Sequence, residues 1–337
     1  MSFPPKPQAI ATLITTNEFV PGAQTFFYSV KKTMAALLDG EYPPELLLLA
    51  TRNVDTKHLS KFCHRIIIVD LIPSPHTSGN DTCSSNGWDY TKLHLWSLTS
   101  YSQILYVDAD CLVLKDIFHL LRKGKHNSDH NVDMVTAVPD IHPPDKFNAG
   151  VLLFSPSRLV YDDMMEKIPT LPSYDGGDTG FLNAYYPGWF ASSNRLPFRY
   201  NAQRSLYHTT KKQNPAYWDS IDSKLIIHYS STPKPWMVAK SICQKVGNEL
   251  ESMWWDWYDE SRYDGVKQKG KPTAAAAASP SCPNQKQQHW NVSARFKELR
   301  KQGLVSKDAM LQAKKDCGVH DNDVDVSGQV ASLFGIQ

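Results

Sequence analysis

The sequence has no excess of one charge, no long apolar run and no paired cysteines. Its 36 lysines and arginines nearly balance 34 aspartates and glutamates over 337 residues, unlike the strongly basic composition that is typical of nucleic-acid binders. No apolar run approaches the roughly 20 residues that cross a bilayer, and the N-terminal segment lacks a basic region followed by an apolar core. We therefore expect no nucleic-acid partner, no membrane span and a cytoplasmic protein. The six cysteines form no CxxC pair, so we expect free thiols.

Short apolar runs alternate with helix-length segments through roughly the first 230 residues. The runs are AIATLITT, ELLLLA, RIIIVDLI, QILYVDAD, DMVTAVP, AGVLLFS and KLIIHY. Runs that are apolar at nearly every position are typical of strands covered on both faces. The pattern predicts an α/β fold with a mostly parallel sheet, helices on both faces and one or two antiparallel strands after Asp110.

The last third of the chain changes in composition. The stretch from Pro235 to Tyr263 is predicted to form one long amphipathic helix whose Trp-rich end packs in the core. Residues 265–289 lose aromatic and β-branched residues and gain Lys, Pro, Ala and Gln, which predicts a flexible linker. We thus divide the chain into a domain at 1–264, a linker at 265–289 and a helical or partly disordered tail at 290–337.

Asp108 and Asp110 end the apolar run ILYV. Alternate residues of an extended chain point to the same side, so both carboxylates can face one point. They follow the carboxyl end of a predicted strand, where ligands bind in open α/β sheets. Two carboxylates at one spot repel each other unless a cation lies between them. The pair predicts a metal that holds phosphates, although the run DNDVD in the tail shows how easily this pattern arises.

Three other stretches supply what a metal and diphosphate site needs. IIHYSSTPKPW places His228 at the end of a predicted strand and Lys234 in the loop that follows. An Asp, Asp and His set suits Mn²⁺, and a lysine can neutralise phosphate. In YDGGDTGF, two glycines between Asp175 and Asp178 permit a close backbone approach, and Asp178 would cap a helix. WDYTKLHLW carries Lys92 near the start of a predicted helix. Each stretch taken alone also fits a structural role.

Taken together and in order, these stretches resemble glycosyltransferase family 8, and within it the glycogenin branch. The resemblance covers roughly residues 8 to 240. It rests on TLITTNEFVPGA, TKLHLWSLTSYS, YVDADCLVLKDI, FNAGVLLFSPS, DGGDTGFLNAYY, LPFRYN and the HYSSTPKPW stretch. It implies a GT-A fold with a Rossmann-like nucleotide-binding domain, a UDP-sugar donor, Mn²⁺ and retention of the anomeric configuration.

The resemblance also implies roles for residues of this chain. The residues that match Mn²⁺ ligands are Asp108, Asp110 and His228. Those that match catalytic groups beside the transferred sugar are Asp178, Lys92 and Asp175, with Asp178 as a transient nucleophile or a stabiliser of an oxocarbenium ion. Those placed around the donor are Thr15, Thr16, Asn17, Phe19, Asn148, Thr179, Ser231 and Lys234. Among them, Phe19 would stack on uracil and Lys234 would bind the diphosphate.

The chain departs from glycogenins near the acceptor and near the sugar. In LPFRYNAQRSLYH, His208 stands at the position of the tyrosine that glycogenins glucosylate. Tyr207 is one residue out of register on a segment expected to be extended, which turns its hydroxyl to the other face. Thr179 stands where glycogenins have Gln, and Ser231 replaces a Gly. A changed hydrogen-bonding partner at the rim of a sugar can change which epimer is accepted.

This profile resembles the cytoplasmic α-galactosyltransferases of protists, which cap a glycan on the adaptor subunit of SCF ubiquitin ligases. It favours UDP-galactose over UDP-glucose, a glycan on another cytoplasmic protein as acceptor, and a homodimer. The alternative is a glycogenin-like self-glucosylating primer that uses UDP-glucose. A third reading is a glycan-binding protein that keeps the fold without turnover. A haloacid dehalogenase-type phosphatase is disfavoured because Leu112 stands where that family has Thr or Val.

Overall fold

The structure is a computed structural model that describes residues 6–34, 42–75, 90–123, 134–141, 145–211, 215–221 and 223–264. The linker and the tail predicted for 265–289 and 290–337 lie outside these residues. No helix in the described part of the chain combines the length and the apolar character that a bilayer span requires.

The described residues include nine strands and eight α-helices. The strands are β1 (Gln8–Ile14), β2 (Glu45–Thr51), β3 (Arg65–Val69), β4 (Gln103–Val107), β5 (Cys111–Val113), β6 (Thr136–Pro139), β7 (Phe147–Phe154), β8 (Ala202–Gln203) and β9 (Ile226–His228). The α-helices are α1 (Val20–Thr33), α2 (His119–Lys123), α3 (Arg158–Lys167), α4 (Asp178–Tyr185), α5 (Arg204–Lys211), α6 (Pro215–Asp219), α7 (Lys240–Lys245) and α8 (Glu249–Asp264). Short 3₁₀ helices lie at Asn17–Phe19, Lys57–Lys61, Thr91–Ser97, Trp189–Ala191, Phe198–Tyr200 and Pro235–Met237.

Six strands form the main sheet, in the order β3-β2-β1-β4-β7-β6. The pairs among β3, β2, β1 and β4 are parallel, whereas β7 runs antiparallel to β4 and β6 antiparallel to β7. The mostly parallel sheet and the antiparallel strands after Asp110 are therefore confirmed. The parallel pairing of β1 with β2 requires a crossover connection, and α1 supplies it.

Each face of the main sheet is covered by its own hydrophobic core. In β2, Leu46 and Leu48 pack on one face with Phe26 of α1. Their neighbours Leu47 and Leu49 pack on the opposite face with residues of the Thr91–Ser97 helix, α3 and α4. This alternation follows from the two-residue repeat of a strand and accounts for runs that are apolar at every position.

One predicted strand, KLIIHY, does not join the main sheet. It forms β9, which pairs antiparallel with β5 and parallel with β8 in a separate sheet of three strands. The register sets Cys111 opposite His228, and the backbone N–H of Tyr229 donates to the carbonyl of Asp110 at 2.9 Å. The small sheet thus brings His228 beside the aspartate pair.

The prediction of a single helix from Pro235 to Tyr263 is wrong. This stretch contains the 3₁₀ helix Pro235–Met237, then α7, then α8. Gly247 separates the two α-helices at φ +67°, a left-handed conformation that glycine adopts without steric cost and that ends a helix.

The Trp-rich part of α8 packs in a core, as the sequence predicts. Trp254 is fully buried, and its ring lies 5.3 Å from Trp236 and 5.2 Å from Tyr258. The same cluster contains Leu112 of β5 and Ile227 of β9. Helix α8 therefore supports the small sheet from which His228 reaches the aspartate pair.

Replacing Trp254 by alanine should lower the free energy of unfolding by about 3 to 5 kcal/mol, because the change leaves a cavity in a closed core. Trp257→Ala, on the same helix but with a partly exposed ring that contacts Lys32 at 4.5 Å, is the matched control and should cost less than half as much. Denaturant unfolding measures both. Equal losses in the two variants would contradict the packing of α8.

Candidate active site

A cleft of about 480 Å³ opens where β1 and β4 end, at the carboxyl edge of the parallel strands. All but one of the residues predicted for the site line it. They are Thr15, Thr16, Phe19, Lys92, Asp108, Asp110, Asn148, Asp175, Asp178, Thr179, His228, Ser231 and Lys234.

Asn17 is the exception. Its side chain is exposed and turns to the loop after β2, where it accepts from the Asp55 N–H at 2.8 Å and donates to the Asn53 carbonyl at 3.3 Å. Asn17 therefore connects the loops that follow β1 and β2 and does not line the cleft.

Asp110 is buried and faces two basic groups. Its Oδ2 lies 2.5 Å from Lys234 Nζ, and its Oδ1 lies 3.3 Å from His228 Nε2. Burial raises the pKa of Asp110, but the charge of Lys234 and the contact with His228 more than offset it and hold the pKa well below its usual range. The carboxylate is therefore ionised at neutral pH.

Lys92 is a buried cation between two carboxylates. Its Nζ contacts Asp178, lies 3.3 Å from Asp108 Oδ1 and donates to the Ala149 carbonyl at 3.0 Å. Burial lowers the pKa of Lys92, yet Asp108 and Asp178 more than compensate, so the pKa is raised. These three acceptors match the three N–H groups of an ammonium, so Lys92 holds Asp108 and Asp178 in place.

Asp175 and Asp178 make different contacts at the start of α4. Gly177 is the N-cap residue and makes no side-chain cap, so the prediction that Asp178 caps the helix is wrong. Oδ1 of Asp175 instead accepts from the N–H groups of Gly177 and Gly180, both at 2.9 Å. The Asp178 carboxylate contacts Lys92.

The donor set of a metal site lies at the base of the cleft. Ligand atoms of Asp110, Cys111 and His228 lie within 4.8 Å of one another, and Asp108 Oδ2 is 3.7 Å from His228 Nε2. Burial raises the pKa of the Cys111 thiol, and a soft sulfur donor suits Mn²⁺ less well than carboxylate oxygens do. The remaining oxygen and imidazole donors fit a divalent cation such as Mn²⁺.

A chain of hydrogen bonds fixes the tautomer of His228. Oδ1 of Asn148 accepts from the Gly150 N–H at 2.9 Å, and the Asn201 amide donates to the same oxygen at 2.9 Å. The carbonyl oxygen of Asn201 therefore faces His228 Nδ1, at 2.8 Å. Nδ1 must carry the proton, which leaves the lone pair of Nε2 directed at the aspartates, as a metal ligand requires.

The formal charges of the cleft leave room for a divalent cation. Among the described residues, its lining includes the four aspartates Asp108, Asp110, Asp175 and Asp178 and the two lysines Lys92 and Lys234. The two negative charges in excess equal the charge of one divalent ion. Carboxylates are costly to bury without such a partner.

Tyr106 and Asn201 are parts of the site that sequence reasoning missed. The Tyr106 hydroxyl donates to Asp108 Oδ1 at 2.5 Å, and burial together with Asp108 raises the pKa of Tyr106. Tyr106 lies two positions before Asp108 and so shares its side of the strand, which was a usable signal. Asn201 follows β7 by many residues, and no local pattern connects it to His228.

Aromatic rings pack against each other at the end of the cleft that Phe19 lines. The Phe19 ring lies edge-on to Trp236 at 5.5 Å, and Lys234 Nζ lies 5.9 Å from the Phe19 ring. A Cβ at Gly22 would lie 2.6 Å from the Ala109 carbonyl. Glycine is thus required for the start of α1 to approach the aspartate turn this closely.

From Arg204 onward the segment after Asn201 is helical, so the expectation that Tyr207 and His208 lie on an extended segment is wrong. Tyr207 and His208 both lie on α5. The Tyr207 side chain is buried against Trp218, and its hydroxyl donates to Glu249 at 3.1 Å. His208 Nε2 lies 3.3 Å from Glu251 Oε1. Neither residue lines the cleft.

This α/β architecture is that of a known class of enzymes. The apo form of the glycosyltransferase GlyE from Streptococcus pneumoniae TIGR4 covers 78% of this chain with a TM-score of 0.52, at 17% sequence identity and over 64% of its own length. The fold is the GT-A fold of glycosyltransferases that use nucleotide sugars.

Sequence similarity narrows the class. Residues 11–239 match the family described as Glycosyl transferase family 8. Human glycogenin-1 is 32% identical over 237 residues, which are 68% of this chain and 62% of that protein. Inositol phosphorylceramide glucuronosyltransferase 1 of Arabidopsis thaliana is 32% identical over 260 residues, 68% of this chain and 42% of its own length. The chain belongs to glycosyltransferase family 8 and acts on sugar nucleotides.

Gly150→Ala should weaken Mn²⁺ binding by at least about tenfold, or about 1.4 kcal/mol. A Cβ there would lie 2.4 Å from His228 Cε1 and 2.7 Å from its Nδ1, so the imidazole must move. In Gly188→Ala, the matched control, the nearest atom is 3.8 Å away. Titration calorimetry measures both affinities. Unchanged Mn²⁺ affinity in Gly150→Ala would contradict the role of His228 as a ligand.

Proposed function

We propose that this chain transfers a hexose, with galactose favoured, from a UDP-sugar to a glycan on another cytoplasmic protein, with Mn²⁺ and with retention of the anomeric configuration. The observation that carries the proposal is the cleft itself. It combines an Asp, Asp and His donor set, a lysine beside it and a second carboxylate pair a short distance away.

The metal ligands and Lys234 would stabilise the leaving group of the reaction. Asp108, Asp110 and His228 would hold Mn²⁺, which when bound stabilises the negative charge of the departing UDP. Lys234 adds a point charge at the same place, since its Nζ already lies at Asp110. Preorganised charges of this kind act on the leaving group without reorganisation of the site.

The uridine end would lie along the residues after β1. Thr15 and Thr16 line the cleft beside the Phe19 ring, which would stack on uracil and makes a T-shaped contact with Trp236. Asn17 reaches the loop after β2 instead, so its part is to shape this end of the cleft.

The sugar end is surrounded by Asn148, Asp175, Asp178, Thr179 and Ser231. Asp178 is our candidate for a transient nucleophile or an electrostatic stabiliser of an oxocarbenium ion. It lines the cleft in contact with the buried ammonium of Lys92.

A separate acceptor is favoured because the self-acceptor position of glycogenins is not preserved. Tyr207 is buried with its hydroxyl bonded to Glu249, and His208 is bonded to Glu251. The acceptor we favour is the glycan on the adaptor subunit of SCF ubiquitin ligases, and we expect a homodimer. The alternative is a glycogenin-like self-glucosylating primer that uses UDP-glucose.

The donor sugar follows from the residues at the rim and not from the family. One relative of this chain is named a glycogenin and another a glucuronosyltransferase. Family membership therefore does not determine which sugar is transferred. Thr179 and Ser231 replace residues at the sugar rim of glycogenins, and a changed hydrogen-bonding partner there can shift selection between epimers.

UDP-galactose should be hydrolysed faster than UDP-glucose in the presence of Mn²⁺, by about tenfold or more if one hydrogen bond separates the epimers. Initial rates of UDP release measure this, with a chelator as the metal control. The intact mass of the protein should stay unchanged after incubation with either donor. Successive hexose increments from UDP-glucose would contradict the proposal and favour the primer. Absence of any hydrolysis would favour a binding protein without turnover.

A further inference from the structure

The loop that follows β9 carries two residues of the cleft, Ser231 and Lys234, and is held from behind by Arg204. This arginine is the first residue of α5 and is buried. Its guanidinium donates to the Ser231 carbonyl at 2.6 Å, to the Ser231 hydroxyl oxygen at 2.8 Å and to the Pro233 carbonyl at 2.9 Å. One planar group thus fixes the loop at two backbone positions and one side chain.

A buried carboxylate balances the charge of Arg204. Oε1 of Glu251, on α8, accepts from Arg204 Nη1 at 2.8 Å, and both side chains are at most 5% exposed. Burial raises the pKa of Glu251, but His208 and Arg204 lower it by more, so the pair is ionised. The loop is therefore tied through Arg204 to the helix whose tryptophans support the small sheet.

We propose that Arg204 is a positioning residue for the nucleotide-sugar donor, which orients Ser231 and keeps Lys234 over the metal site. The inference rests on the proposed function and deepens it. Arg204 and Glu251 would thus contribute to donor binding, although neither residue lines the cleft and neither belongs to the motifs that predicted the site.

The chemistry of the contact sets the direction of the Ser231 hydroxyl. A guanidinium has donors and no acceptor, so Ser231 Oγ must accept from Arg204. The hydroxyl hydrogen of Ser231 is then available to an oxygen in the cleft, which it lines. Arg204 thus makes Ser231 a hydrogen-bond donor toward a sugar or phosphate oxygen.

The same contacts restrict Lys234. Its Nζ donates to the Tyr229 carbonyl at 2.9 Å and to Asp110, so its position depends on the course of the loop between residues 229 and 234. Two of the carbonyls in that interval are those that Arg204 holds. A lysine at position 204 would keep the charge beside Glu251 but could not span three acceptors with a rigid fork.

A purely structural role makes a different prediction. If the buried ion pair only joined α5 to α8, its loss would lower the melting temperature and leave UDP affinity unchanged. If Arg204 acts through the loop, its loss must weaken UDP binding even where the protein is fully folded, and the loss must depend on Lys234.

The test is a double-mutant cycle read by UDP titration calorimetry with Mn²⁺ present, at a temperature at which each variant is folded. Arg204→Lys should weaken UDP binding by about tenfold. In a Lys234→Met background, adding Arg204→Lys should weaken it by less than about threefold, because residues that act as one unit are not additive. Ser231→Ala, which removes one acceptor of Arg204 but leaves both members of the ion pair in place, should also weaken UDP-sugar binding. Arg195→Met, at an exposed arginine outside the cleft, is the control and should leave UDP affinity unchanged.

Unchanged UDP affinity in Arg204→Lys, or equal losses with and without Lys234, would overturn the inference alone. Absence of UDP binding by the unaltered chain would overturn the proposed function and the inference with it. The two failures are therefore distinguishable in the same experiment.

Discussion

Negative charge placed inside a low-dielectric cleft is the constraint on which the rest of the site depends. Asp110 is buried beside Lys234 and His228, and Asp178 is held by the buried ammonium of Lys92. An unpaired carboxylate in such a place would be protonated or would destabilise the fold. The lysines pair with these carboxylates, and the excess of negative charge creates a place for a divalent cation.

The fold makes this arrangement possible by joining distant segments. Lys234 and Asp110 are 124 positions apart in sequence. Asp110 directly precedes β5 and Lys234 lies in the loop after β9, so the pairing of these two strands brings the residues together. Asn148 in the wall of the cleft and Asn201 behind it direct the imidazole of His228, and Arg204 with Glu251 holds the loop of Lys234. Residues that line the cleft are thus positioned in part by buried polar groups outside its lining.

The sequence was sufficient where the chemistry is local. Apolar runs predicted the strands of the main sheet, and the DxD spacing with the His and Lys of the later loop predicted the cleft. It was insufficient where tertiary contacts decide. Whether Asp175 or Asp178 caps α4 depends on Lys92 competing for Asp178. The break at Gly247, the helical course of α5 and the partners of Asn201 and Arg204 likewise arise from packing that no short pattern encodes.

A crystal structure with Mn²⁺ and UDP, with the metal located by its anomalous signal, tests the central claim most directly. The account predicts one Mn²⁺ bound by Asp108, Asp110 and Nε2 of His228, with Lys234 in contact with the diphosphate and Nδ1 of His228 still bonded to Asn201. A metal bound elsewhere, or UDP bound in this cleft without contact to the metal or to Lys234, would contradict it.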